Sequence, residues 1–289
     1  MRDMNKVYEN RLLSQWEKLF PRHPDQIGAF QETDAELLPL DENRVLAITV
    51  DTVAEEISAG LYKDARTAGR TAALSSLSDL AAVGAEPLGL LFATTIPQDN
   101  FVMIQSRLAE GINEALKAAG VAVLGGDTNE GTALEVTCVA VGLVPSEKVI
   151  SRVGAQPGDL VFVSGPIGLG GALAAALLLK IDSFTESDYR PQPRLREGQI
   201  IRRHANCCMD TSDGLISTID QLSRLNSVRF QLETTFDDLL HPAAQRLRSQ
   251  ADLLSFVFAA SYHGEFELVF TLPPGAEREF MAEANSVNW

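Results

Sequence analysis

Five aspartates of this 289-residue chain are flanked by small residues at points where strands are predicted to end or helices to begin. A single aspartate in such a place caps a helix or forms a turn, and that remains the alternative for each of them. Five together predict carboxylates that converge on one cleft, where their hard oxygen atoms suit Mg²⁺ bound jointly with phosphate groups. The five are Asp51 in VDT, Asp79 in LSDLAAVGAEP, Asp127 in GGDT, and Asp210 and Asp213 in MDTSDGL.

Two glycine-containing segments and one arginine are candidates for handling phosphate. GGDT, at 125–128, lets the backbone approach an anion closely, because glycine has no Cβ. The segment 165–171 (GPIGLGG) follows a predicted strand and opens a helix, so it either cradles a phosphate or forms a tight turn with close helix packing. Arg152 either meets a phosphate or lies on the surface. The chain contains no Walker A sequence, which excludes a P-loop kinase.

The elements that must position these residues alternate between strands and helices, which predicts an α/β chain of two units. Residues 1–147 would form the first unit and residues 148–289 the second. Predicted strands cover 45–50, 88–95, 121–124, 133–144, 160–164, 207–209, 228–232 and 266–272. Predicted helices cover 8–20, 62–83, 97–119, 170–180, 194–205, 214–225 and 237–250, with a short helix at the end. The strand 121–124 is predicted to end at GGDT.

Composition excludes several classes of protein. A formal net charge of −15, from 24 Lys+Arg against 39 Asp+Glu, argues against a general nucleic-acid binder. The longest apolar run, residues 172–179, is too short to cross a membrane, and the first residues do not form a secretory signal. Three cysteines and four histidines fall at no zinc-like spacing, and so few cysteines favour the reducing cytosol.

Six motifs follow one another along the chain, from DTVAEE at 51–56 through SLSDLAAVGAEP, GGDT, SRVGAQPGD and DTSDGL to FELVFTLPP at 266–274. Together they make it resemble thiamine-monophosphate kinases, relatives of aminoimidazole-ribonucleotide synthetase and selenophosphate synthetase. The resemblance covers about residues 25–275. It implies ATP- and Mg²⁺-dependent phosphoryl transfer to a small phosphorylated metabolite, thiamine monophosphate, at the interface of a homodimer. It also implies two α/β domains of mixed sheets, the N-terminal sheet (1–147) joining its partner's, and a C-terminal domain (148–289) shortened at its end.

The resemblance implies a role for individual residues at the matching positions. Asp51, Asp127 and Asp213 would stand at the catalytic centre, and Ser58 and Glu265 would contact the substrate. Mg²⁺ would be bound by Asp34, Asp51, Asp79, Asp127, Asp210 and Asp213, and the nucleotide by Gly126, Asp127, Arg152 and Ser212.

The sequence differs from the family at positions that bind the thiamine moiety. Ser58-Ala59 replaces a His-Phe pair, and the stretch 263–268 (HGEFEL) lacks one residue of Gly-Glu-Asp-Tyr-Glu-Leu. Glu32-Thr33-Asp34 carries one acidic residue fewer than the usual Gly-Asp-Asp, and Asn129-Glu130 follows GGDT in place of a basic residue. The sequence ends at Trp289, before the last family segment, which contributes an aromatic wall to the thiamine pocket. We therefore expect the phosphoryl-transfer chemistry to be retained more fully than the acceptor specificity.

Two other functions are compatible with these residues. One is an ATP-dependent synthetase that activates an amide or acyl oxygen on another substrate. The other is a paralogue that binds nucleotide as a regulator without turnover.

Overall fold

The computed structural model describes residues 15, 16, 18–287 and 289, and its larger sheet has the strand order β1-β2-β5-β3-β4. Strands β3 and β4 run parallel, and the other neighbouring pairs run antiparallel. One edge of the sheet is therefore β4. The strands are β1 (Glu36–Pro39), β2 (Arg44–Thr52), β3 (Glu86–Pro97), β4 (Val123–Gly131) and β5 (Glu135–Pro145).

Among the described residues, helices cover one face of this sheet and no helix covers the other, which we call the open face. Buried residues alternate along β2, so that Val45, Ala47 and Thr49 face the helices. The helix α2 packs on β2 and β5 and on α3, and it also contacts β7 of the second sheet, which explains why most of its residues are buried. The first three helices are α1 (Ala54–Ser58), α2 (Ala65–Ala82) and α3 (Phe101–Ala119).

The smaller sheet is antiparallel, with the strand order β6-β8-β7. Its strands are β6 (Leu160–Val163), β7 (Cys207–Asp210) and β8 (Leu268–Leu272). Because α2 lies between the two sheets, the end of β2 and the end of β7 approach each other around it. The remaining helices are α4 (Leu169–Leu179), α5 (Leu195–His204), α6 (Leu215–Asn226), α7 (Phe236–Leu239), α8 (Pro242–Ala251), α9 (Ser255–Ala259) and α10 (Glu277–Ser286).

The predicted α/β class with mixed sheets is confirmed, and several local predictions are wrong. GGDT lies inside β4 rather than at a strand end, because its backbone continues the parallel ladder with β3. The segment 228–232 forms no strand: it lines a cleft beside β6 instead of extending the second sheet. The predicted helix 237–250 is interrupted, since Pro242 starts α8 afresh after the short α7.

Three short elements, β1, α1 and α9, were not predicted from the sequence. The predicted helix 8–20 lies largely outside the described residues, and the division into domains at residue 147 stays a prediction. No helix in the part of the chain that the structure describes combines the length and apolar character needed to cross a membrane.

Candidate metal and nucleotide site

Three aspartates from distant parts of the chain meet between the two sheets. Asp34 precedes β1, Asp79 lies near the end of α2, and Asp210 is the last residue of β7. One carboxylate oxygen of each lies within 4.8 Å of the others. Because α2 contacts both sheets, it carries Asp79 to the point where the other two converge.

Hydroxyl groups and one guanidinium hold these carboxylates in place. Ser78 and Ser212 donate hydrogen bonds from Oγ to Asp210, at 2.7 and 2.9 Å. The Nη2 atom of Arg152 lies 2.9 Å from Oδ1 of Asp34, whose side chain is fully buried. Burial alone would lower the pKa of Arg152, but the neighbouring Asp34 raises it above its ordinary value, so this cation stays charged.

The cluster concentrates negative charge where water is largely excluded. Burial raises the pKa of Asp79 well above its usual range, and the neighbouring Asp51, Asp210 and Asp34 raise it further. The pKa of Asp210 is raised to about 7 by burial and then by Asp34, against the hydrogen bonds from the two serines. Like-charged carboxylates in one buried place resist ionisation unless a cation joins them.

The residues present fit a divalent cation. Oδ2 of Asp34 and Oδ2 of Asp51 are buried and find no hydrogen-bond partner in the part of the chain that the structure describes, which is an unfavourable state for a carboxylate oxygen. All candidate ligands are carboxylate oxygens, the donor type that Mg²⁺ prefers. The structure thus brings together Asp34, Asp79 and Asp210, with Asp51 close enough to raise the pKa of Asp79, as a candidate cation site.

A further buried carboxylate near the site, Glu56, was not predicted from the sequence. It lies on α1, one helical turn after the end of β2. Its Oε2 atom is buried and has no hydrogen-bond partner among the described residues. Burial raises its pKa, and Glu55, Asp213 and Asp51 add to the effect, which shows that Asp213 and Asp51 both lie near it. The only sequence signal was its position in DTVAEE, directly after the strand end.

Gly126 and Asp127 lie farther from the cluster within one chain. Gly126 lies in the same cross-strand row of the sheet as Asp51. Three spacings between neighbouring strands separate the two residues, which corresponds to about 14 Å. Asp127 belongs to the next row, with Thr52, so its side chain is on the open face. It accepts a hydrogen bond from Asn129 at 2.8 Å. A single protomer does not bring Asp127 to the other aspartates.

An apolar cavity of about 300 Å³ lies on the helical side of β4, between β3, β4 and α3. Thr128, two residues after Gly126, lines it, and its hydroxyl lies 3.2 Å from that of Thr94. Its apolar lining consists mainly of Phe92, Ile96, Leu108, Ile112, Leu116 and Val123. The volume and the lining suit a flat aromatic group with a few polar atoms.

The glycine-rich turn 165–171 is occupied by the chain's own carboxylate. Glu265 is 3% exposed and accepts a 2.8 Å hydrogen bond from the backbone N–H of Leu169, with other amides of Gly168–Gly171 beside it. Burial raises its pKa to about 8 against these donors, and its Oε1 atom has no partner. The backbone amides at the start of α4 therefore bind the carboxylate of Glu265, and its predicted contact with the substrate stays a prediction.

Aromatic side chains fix the loop that carries Glu265. The hydroxyl of Tyr62 lies 3.1 Å from Nε2 of His263, and that of Tyr189 donates to the carbonyl oxygen of Gly264 at 2.8 Å. Burial lowers the pKa of His263 to about 4, so the ring is neutral at neutral pH. Ser58, the other predicted substrate residue, is exposed at the end of α1 and donates to the carbonyl oxygen of Glu55 at 2.8 Å.

Comparisons with known proteins show the family to which the chain belongs. The sequence model of the family described as AIR synthase related protein, N-terminal domain, matches residues 32–144. The thiamine-monophosphate kinase of Haemophilus influenzae is 32% identical over 265 residues, which cover 88% of this chain and 78% of that protein. That of Pyrococcus horikoshii is 30% identical over 278 residues, covering 93% and 84%.

Solved structures show the same fold. A structure described as AaThiL complexed with AMPPCP and TMP superposes with a TM-score of 0.81 at 22% identity, over 96% of this chain and 88% of that one. The thiamine-monophosphate kinase of Stenotrophomonas maltophilia K279a gives 0.74 at 26% identity, over 96% and 89%. The hydrogenase maturation protein HypE gives 0.66 at 18% identity, over 90% and 80%.

Proposed function

Because the chain belongs to the thiamine-monophosphate kinase family, we propose that it transfers the γ-phosphoryl group of ATP to thiamine monophosphate in the cytosol. A phosphate oxygen of the acceptor bonds to the γ-phosphorus while the bond from that phosphorus to the β,γ-bridging oxygen breaks. The products are thiamine diphosphate and ADP. The observation that carries the proposal is the convergence of Asp34, Asp79 and Asp210 beside Asp51.

The chain's own groups supply positioning and charge. Asp34, Asp51, Asp79 and Asp210 would hold Mg²⁺, with Asp213 beside them. Bound Mg²⁺ would neutralise the phosphates and polarise the transferred group. Arg152, already charged and fixed on Asp34, would orient a phosphate oxygen, and Ser212 would donate to another. Such positioning is the main contribution a protein makes to phosphoryl transfer.

The nucleotide base would enter the apolar cavity beside β4. Gly126 pairs across the strands with Phe92, which lines that cavity, and it lies in the row of Asp51. A nucleotide lying along this row would therefore span from the base to the carboxylates. A β-carbon at position 126 would come within 2.6 Å of the carbonyl oxygen of Phe92, so the close strand pairing here also depends on glycine.

A second copy of the chain would complete the site. Val50, Val139 and Leu91 form an apolar row across three strands of the open face, and Val50 is 63% exposed. Asp127 is on the same face. Contiguous exposed apolar side chains mark interaction surfaces, so we propose a homodimer built on this face, with Asp127 at its interface.

The test is product formation from ATP, Mg²⁺ and thiamine monophosphate, followed by fluorescence chromatography of the oxidised thiamine products and by ADP release. We expect thiamine diphosphate and ADP in equal amounts, and at least a hundredfold loss of rate in Asp210→Asn. Asp41→Asn, which changes a surface carboxylate paired with Arg44, serves as the matched control with an unchanged rate. ADP with free phosphate but no thiamine diphosphate would indicate a synthetase, and nucleotide binding without turnover a regulator; either result would overturn the proposal.

A further inference from the structure

A second cavity of about 300 Å³ lies between α2, α3 and the segment 190–193. Arg70 from α2 and Arg190 line it, together with Glu114 from α3. Arg70 comes nine residues before Asp79 on α2, so about 14 Å of helix separates this cavity from the carboxylate cluster. Nothing in the proposed phosphoryl transfer uses it.

Arg70 is a buried cation with few partners. It is 6% exposed, its Nη2 atom donates to the carbonyl oxygen of Tyr189, and its Cζ atom lies 6.0 Å from the centroid of the Tyr189 ring. Within the described residues, no carboxylate forms an ion pair with it. A guanidinium carries five N–H donors, so those not bound to Tyr189 are available to a ligand in the cavity.

The surroundings leave positive charge in excess. Glu114 is shared between Arg66 and Arg190, with its Oε2 atom 3.0 Å from Nη1 of Arg190. Glu114 is thus shared by two guanidinium groups, and Arg70 adds a third that has no ion pair among the described residues, in a chain whose formal net charge is −15. Burial lowers the pKa of Arg70, and Arg190 lowers it further, as expected of a cation without an anion beside it.

We propose that this cavity binds a phosphate group between Arg70 and Arg190, either as inorganic phosphate or as the phosphate of a small metabolite. The planar fork of a guanidinium matches two phosphate oxygens, and two guanidinium groups balance a dianion. Gln192, which also lines the cavity, offers an amide donor. Phosphate binding here needs neither ATP nor Mg²⁺, so it can be tested independently of the proposed kinase activity.

A phosphate bound here would act close to the loop of Glu265. The carbonyl oxygen of Tyr189 holds Arg70, and the hydroxyl of the same tyrosine donates to the carbonyl oxygen of Gly264 at 2.8 Å. Two hydrogen bonds therefore separate the cavity from the residue that precedes Glu265. Occupancy of the cavity would stabilise the present position of that loop.

The test is calorimetric titration of inorganic phosphate into the full chain, freed of divalent cations with EDTA and held at low ionic strength. Without Mg²⁺ the carboxylate cluster repels phosphate, so binding reports on this cavity. We expect one site, weakened by at least about tenfold in Arg190→Gln, whose side chain is 47% exposed and whose removal should leave the fold intact. Arg70→Gln should abolish binding, and Arg203→Gln, which breaks a surface pair with Glu283, should change nothing.

A parallel titration with glycerol 3-phosphate distinguishes the two sources. Tighter binding of glycerol 3-phosphate than of inorganic phosphate assigns the site to a phosphorylated metabolite, and the reverse order assigns it to free phosphate. No binding of either compound to the unmodified chain, or equal binding in Arg190→Gln, would overturn the proposal.

Discussion

The substitution Glu265→Gln tests how the glycine-rich turn is used. Glu265 is fully buried at the start of α4, and burial raises its pKa from an ordinary 4.5 to about 8, against hydrogen bonds from the turn. A carboxyl group whose pKa is higher in the folded than in the unfolded state stabilises the fold most below pH 4.5. That stability is lost as the pH rises through about 8. A glutamine of the same shape cannot ionise, so it should remove this loss.

The size of the effect follows from the shift. Each pKa unit corresponds to about 1.4 kcal/mol, so this one group should lower the free energy of unfolding by about 3.5 kcal/mol between pH 5 and pH 8. The neighbouring Tyr189 stays neutral over this range, because burial raises its pKa well above its ordinary value. The buried His263, with a pKa of about 4, is also neutral there.

The assay is urea unfolding at pH 5, 6, 7 and 8, followed by circular dichroism. Glu265→Gln should match the unmodified chain near pH 5 and exceed its stability by about 3.5 kcal/mol near pH 8. Asp41→Asn is the control, because the hydrogen bond from Arg44 lowers the pKa of Asp41 and keeps it ionised throughout. A parallel pH dependence of Glu265→Gln and the unmodified chain, or a less stable variant at pH 8, would refute the reasoning.

Four further substitutions test the carboxylate cluster, the open face of the sheet and the packing of α2 on α3. Asp79→Asn should raise the melting temperature of the metal-free chain at pH 7.5. Burial and like charges raise the pKa of Asp79 in the folded state, which costs stability above the pKa of the unfolded chain, and asparagine does not ionise in either state; an unchanged or lower melting temperature would contradict this. Val50→Glu and Leu91→Glu should each convert a dimer to a monomer in sedimentation velocity, whereas the surface change Asp41→Asn should not. Gly69→Ala should cost roughly 1–3 kcal/mol in urea unfolding, since the methyl would lie 2.5 Å from the carbonyl oxygen of Leu108.

The sequence predicts the position of those carboxylates that lie in, or at the end of, a regular helix or strand. Asp79 lies near the end of a long helix, and Asp210 ends a strand, so both could be placed from the pattern of the elements around them. Their convergence follows from α2, which is buried against both sheets. The prediction that Asp34 binds metal depended on the family resemblance alone, because the loop that carries it has no regular hydrophobic pattern.

Long-range packing explains what the sequence did not predict. GGDT has the composition of a turn, but strand pairing with β3 extends β4 through it and turns Asp127 toward the open face. Glu265 is 96 residues from Leu169, so its use of the turn 165–171 depends on a contact that no local pattern records. Glu56 lies on a short helix, and the burial and the charges of Asp213 and Asp51 that raise its pKa arise only in the folded chain.

The most direct test of the central claim, that the aspartates form one Mg²⁺–nucleotide site, is calorimetric binding of a non-hydrolysable ATP analogue. We predict binding that requires Mg²⁺, that is lost or weakened by at least about tenfold in Asp34→Asn, Asp51→Asn and Asp127→Asn, and that is unchanged in Asp41→Asn. Binding that is indifferent to Mg²⁺, or that is equal in Asp51→Asn and in the unmodified chain, would contradict the account.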